Sequence, residues 1–181
     1  FDRAMCLEFA RGKAASVLGP AFAEVDGYAA RVRLPDEPLM LVDRIVSVEG
    51  EMLSMRSGKV VTEHDVRPGA WYLDGGRAPV CISVEAGQAD LFLCAYLGID
   101  LAVRGRRTYR LLDATVEFHR ELPQPGETIR YTIEIEKFVR QGETYLFLFH
   151  FKGTIAGAPL ITMTDGCAGF FTPDEVLRSG G

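Results

Sequence analysis

Histidine and cysteine are scarce in this chain: His64, His119 and His150 are the only histidines, and Cys6, Cys81, Cys94 and Cys167 the only cysteines, in 181 residues. No C-x-x-C pair and no H-E-x-x-H occurs, so the spacings that hold zinc are missing and no metal is expected. None of the cysteines stands beside a histidine, which leaves them as small apolar fillers of a reduced, cytoplasmic protein rather than nucleophiles. Positive charge is in deficit as well. With 20 Lys and Arg against 25 Asp and Glu the net charge is −5, the wrong balance for a protein that neutralises nucleic-acid phosphates. The one run long and apolar enough to suggest a membrane span carries Glu85, Gln88 and Asp90, so no membrane association is expected either.

What is present is the composition of a globular protein, 48% hydrophobic and 25% charged, at a length that suits one domain over residues 1–181. Beginning on Phe1 and closing on Ser179-Gly180-Gly181, the chain reads as a piece of a longer polypeptide. Residues 2–18 are spaced for a helix that Asp2 caps and Gly19-Pro20 stops. After a loop to Pro38, residues 39–62 read as a hairpin turning at Gly50. Residues 65–78 hold Pro68, three glycines and Trp71, the marks of an irregular connection around an aromatic anchor. Four strand-like runs fill 108–171, namely 108–121, 128–140, 144–155 and 160–171, with separators short enough for a meander of antiparallel neighbours.

The segment 79–97 holds the residues that bear on function. Pro79 suits the first turn of a helix and Gly98 its stop, and the residues between are apolar or small on nearly every side. Such a helix must be wrapped, and a sheet of about six strands curled around it gives an α+β fold with an additional N-terminal helix. A carboxylate on so apolar a rod costs several kcal/mol unless partnered. Glu85 and Gln88, three apart, would share a face, with burial raising the Glu85 pKa toward that of a general acid and Gln88 orienting it. The competing reading has Glu85 at a groove mouth, bonded to backbone. Asp90 points elsewhere and reads as structural.

The order of elements and several motifs resemble the hotdog-fold dehydratases that remove water from 3-hydroxyacyl groups carried on acyl carrier protein. The carriers of that resemblance are L-M-L-V-D-R-I (residues 39–45), D-V-R-P-G-A-W-Y (residues 65–72) and Pro79 placed six residues before Glu85 in P-V-C-I-S-V-E-A. Through V-E-A-G-Q-A-D-L, Y-L-G-I-D, Y-R-L-L-D and D-G-C-A-G-F-F-T the chain is most similar to dehydratase regions of multidomain polyunsaturated fatty acid synthases, where hotdogs stand in tandem. The resemblance implies a substrate carried on the phosphopantetheine of acyl carrier protein, no further cofactor, and a second hotdog as partner, in cis or in a homodimer. It also implies a mechanism in which a histidine takes the proton beside the thioester carbonyl and the helix carboxyl protonates the departing hydroxyl. In such dehydratases the histidine stands between the Trp and the helix proline; here that stretch is Y-L-D-G-G-R-A and has none. This half would then contribute Glu85 alone, or act only as a scaffold that shapes its partner's site.

Remaining candidates are weaker. His64 is the nearest substitute base, but it precedes Trp71 instead of following it. Gly75 and Gly76, before the helix, could let backbone N–H groups approach a thioester oxygen. With Glu85 or Asp74 activating water, that arrangement would instead make an acyl thioesterase. Arg104, Arg106, Arg107 and Arg110 form the one basic cluster of an acidic chain and suit docking of an acidic carrier protein.

Overall fold

The computed structural model describes residues 1–178. Two short helices open the chain, α1 (Arg3–Arg11) and α2 (Ala14–Leu18), in place of the continuous helix expected over 2–18. Asp2 caps α1 by accepting from the Met5 amide, and the chain leaves the helix at Gly12. Phe1 and Phe9 pack on Phe92 at ring-centroid distances of 5.5 and 4.9 Å, so the N-terminal segment lies against the central helical layer.

Strands β1 (Arg44–Glu49) and β2 (Gly58–Asp65) form a hairpin that starts later and turns more widely than the sequence pattern predicts. Met40, Leu41 and Val42 are all buried, and three consecutive buried side chains suit an irregular segment threaded into the core better than a strand with one wet face. Trp71 is 60% exposed, its indole N–H donating to the Pro38 carbonyl; the anchor of the 65–78 connection is the buried Tyr72.

The expected helix over 79–97 is interrupted. It consists of α3 (Val80–Ala86) and α4 (Asp90–Tyr96), followed by α5 (Ile99–Val103). The Tyr131 hydroxyl, reaching in from the sheet, donates to the Ser83 carbonyl at 2.6 Å. That carbonyl would otherwise take the Gly87 amide, which bonds Val84 instead, while Gln88 bonds Glu85 at 3.0 Å. These tighter bonds close the first segment and let the chain re-enter a helix at Asp90. Gly87 is needed at the break because a Cβ there would lie 2.6 Å from the Phe151 ring.

Four further strands, β3 (Thr108–Phe118), β4 (Thr128–Gln141), β5 (Thr144–Ile155) and β6 (Ala158–Phe171), complete a six-stranded antiparallel sheet of order β1-β2-β4-β5-β6-β3. The run is therefore not a meander: β3 pairs with β6, with Thr108 opposite Phe171, and β4 crosses to join β2. The expectation failed because local turn length cannot specify pairing between strands separated by forty residues or more. The inner face of the sheet, with Tyr131, Ile133, Phe147, Phe149 and Phe151, packs on Phe92, Leu93 and Leu97, all essentially without solvent exposure. This accounts for the apolar character of the helical layer on nearly every side: sheet covers one side and α1 another. The architecture is α+β, a hotdog. β3 is left on the outer edge, with Leu111, Leu112 and Val116 exposed.

Candidate active site

Tyr72 stands between two grooves. One, of about 450 Å³, is walled by Leu39, Trp71, Tyr72, Pro79, Cys81, Ile82 and Glu85. Pro79 caps α3 with an extended backbone (φ −62°, ψ 161°), and Glu85 follows near the end of that short helix. The Glu85 carboxyl is half-buried and makes no hydrogen bond or ion pair among the described residues. Burial alone pushes its pKa above the ordinary glutamate value. A carboxyl that holds its proton more firmly than an ordinary glutamate, beside an apolar groove, suits the transfer of a proton to a leaving oxygen.

Gln88 does not orient it. It lies in the break between α3 and α4, where the three-residue spacing no longer places two side chains on one helical face, and its side chain makes no hydrogen bond to Glu85. Asp90, at the first position of α4, is fully buried, with no side-chain partner for either oxygen. Burial pushes its pKa well above the ordinary aspartate value, against the smaller lowering by backbone amides at the start of α4. It lines neither groove.

His64 faces the second groove, of about 250 Å³, which includes Arg3, Asp43, Asp65 and Arg67. Its ring is buried between two partners: Nδ1 lies 3.1 Å from Asp43 Oδ2 and Nε2 lies 2.9 Å from the Tyr72 hydroxyl. With Asp43 ionised, the Nδ1 hydrogen bond has Nδ1–H as its donor, and Nε2 shares the other with the Tyr72 hydroxyl. Burial works to raise the Asp43 pKa, but hydrogen bonds from His64 and from the Asp65 amide outweigh it, and the carboxyl ends below its ordinary value. Arg3 and Arg67 complete its shell at 2.8 and 2.6 Å. Both ring nitrogens of His64 are thus engaged on the far side of Tyr72 from Glu85, and the ring does not line the Glu85 groove. His119, just past the end of β3, bonds Thr162, and His150 on β5 bonds Glu136; neither lines either groove.

Gly75 and Gly76 do not reach the site. Asp74 and Arg77 exchange both backbone hydrogen bonds at 3.0 Å, and the two glycines close that tight turn with φ of 55° and 77°. Left-handed backbone at two successive positions explains both glycines without a ligand. The basic cluster also divides. Arg104 and Arg106 are exposed, but the Arg107 side chain is only 10% exposed and turns inward.

Sequence reasoning missed Asp43 and Tyr72 as site residues. A visible signal was Asp43 itself, a carboxylate directly after the apolar run 39–42.

A FabA-like domain model matches residues 34–163, which takes in the Glu85 groove, the His64 groove apart from Arg3, and the sheet as far as Met163 in β6. The chain belongs to the FabA-like family. It is also 40% identical, over its whole length, to one of the polyunsaturated fatty acid synthase polypeptides of Thraustochytrium sp., of which it spans 12%. Among solved structures, the dehydratase heterocomplex ApeI:P from Xenorhabdus doucetiae superposes with a TM-score of 0.53 at 16% identity, covering 82% of this chain and 93% of that one. At that identity the likeness speaks for the fold. Among the described residues, no helix of this FabA-like domain is long and apolar enough to cross a membrane.

Proposed function

We propose that this FabA-like domain is one half of a paired hotdog dehydratase acting on 3-hydroxyacyl chains held by acyl carrier protein, and that its own contribution to the chemistry is the Glu85 carboxyl. The observation that carries the reading is that Glu85 has no hydrogen-bond or ion-pair partner among the described residues, is raised in pKa by burial, and opens onto an apolar groove. Water loss needs a base beside the thioester carbonyl and an acid at the β-hydroxyl. No histidine lines this groove, so the base comes from the second hotdog. The exposed β3 edge, with Leu111 and Leu112, is where that partner's sheet would join. The test is turnover of the complete pair carrying Glu85→Gln.

A scaffold role is the second reading, and the placement of His64 favours it: the one buried histidine is fully engaged away from Glu85. The thioesterase reading fares worse, since Gly75 and Gly76 sit in a turn outside the groove and Asp74 is exposed there.

Docking of the acidic carrier falls to Arg104 and Arg106, which are exposed on the turn before β3, while Arg110 is exposed on the strand itself. Reversing both to Glu is expected to weaken carrier binding at least several-fold at low salt and to flatten its dependence on ionic strength. Surface plasmon resonance across a salt series measures this; an unchanged affinity assigns docking elsewhere.

A further inference from the structure

The interruption between α3 and α4 is held by several positions at once. Tyr131 on β4 is fully buried, and its hydroxyl donates to the Ser83 carbonyl at 2.6 Å. Room for that ring comes from Gly153 on β5, where a Cβ would lie 2.9 Å from Tyr131 Cε1. Phe151 stands edge-on to the Tyr131 ring, with centroids 5.6 Å apart and planes at 85°, and its own tip fills the space beside Gly87 that a Cβ would need. The backbone follows: ψ is −2° at Gly87 and 9° at Ala89, against about −42° in a continuous helix.

In an unbroken helix, residues 85, 89, 92 and 96 fall on one line. Ala89 and Phe92 on that line have no solvent exposure, and Phe92 is covered by Phe1 and Phe9. A straight rod would therefore aim Glu85 along a buried stripe. Within α3 the same line runs back to Cys81, one turn earlier, which is exposed and walls the Glu85 groove. The line passes from wet to dry across residues 87–89, where the two ψ angles turn α3 relative to α4.

We propose that Tyr131 is a positioning residue for Glu85: by taking the Ser83 carbonyl it keeps the helix open at residues 87–89, and so holds the carboxyl over the groove instead of in line with Ala89 and Phe92. The inference rests on Glu85 being the group that acts in the groove, but the placement it invokes can be read without turnover. Without the hydroxyl, the Ser83 carbonyl becomes a buried acceptor with no partner from the sheet. The donor that an α-helix supplies to it is the Gly87 amide, and that bond restores the straight rod.

A carbon-13 NMR titration of the Glu85 carboxyl in the 181-residue chain, run on the parent and on Tyr131→Phe, tests this. The variant is expected to titrate at higher pH than the parent, because its carboxyl turns toward the buried stripe. A midpoint that is unchanged, or lowered as general loosening of the core would lower it, leaves Tyr131 as packing alone and overturns the proposal. Should Tyr131→Phe not fold by circular dichroism, Phe151→Leu, which frees both the Tyr131 ring and the space beside Gly87, carries the same expectation and the same refutation. The two readings fail separately. Near-normal turnover of Glu85→Gln in the complete pair removes the acid role, whereas a raised midpoint in Tyr131→Phe still assigns the placement of Glu85 to Tyr131.

Discussion

Glu85→Gln in the complete two-hotdog assembly is expected to lower dehydration turnover roughly a hundred- to ten-thousand-fold, the range over which positioned acids and bases contribute. The substitution is nearly isosteric, and Glu85 makes no hydrogen bond among the described residues that the amide would break. Folding should therefore survive, and by removing a half-buried ionisable group the change should leave thermal stability equal or slightly higher. A steady-state assay following the conjugated thioester separates the readings: collapse of kcat with little change in KM supports the acid role, and near-normal turnover leaves this half as scaffold. The same assay scored for free thiol should give none, because the groove holds no glycine-flanked amides to polarise a thioester carbonyl for attack by water.

The largest stability effect should come from Asp43→Ala. This carboxylate is 5% exposed and draws together α1 through Arg3, the end of β2 through His64 and the Asp65 amide, and the following connection through Arg67. Its removal leaves the buried His64 ring nitrogen and the Asp65 amide without their acceptor, while Arg3 keeps Glu37 and Arg67 turns to solvent, so a loss of about 3 kcal/mol is expected by urea denaturation at neutral pH. The pH dependence has a definite sign. The folded pKa of Asp43 is depressed, so its stabilisation is complete above the unfolded value near 3.8 and fades as pH falls through the lower folded value. The gap between parent and variant should accordingly narrow in acid, below about pH 4, and not on the alkaline side. Asp65, held at about 2 chiefly by Arg44, fades in the same window in both proteins and largely cancels from the difference.

Much of the architecture was legible because it is written in local pattern. Thr108, Thr128 and Thr144 were placed correctly as strand starts, since alternation and Gly- or Pro-containing separators are short-range signals. Pro79 before an apolar helix, and Glu85 within it, were legible for the same reason. What was not legible depends on contacts distant in sequence. The helix break at residues 87–89 is made by Tyr131, 48 residues from the Ser83 carbonyl it takes, and by Phe151 pressing on Gly87. Nothing in the spacing of Glu85 and Gln88 reveals that the helix between them has ended.

Pairing of β3 with β6 is a property of the whole sheet, which turn lengths do not encode. Arg107 turns inward over the Tyr145 ring and onto Glu143, both on the distant β5 side of the sheet, while its neighbours Arg104 and Arg106, identical in type, remain in solvent. His64 looked like a substitute base on position along the chain alone. The buried Asp43 and Tyr72 that occupy its two nitrogens come from either side of it in sequence, 21 and 8 residues away.

The proposed chemistry turns on the protonation state of one side chain, which a carbon-13 NMR titration of the Glu85 carboxyl reads directly, with Glu85→Gln assigning the resonance. A midpoint above 4.5, the ordinary glutamate value, is the expected result. A midpoint at or below 4.5 would show a solvated or ion-paired carboxylate and would contradict the assignment of Glu85 as the proton donor.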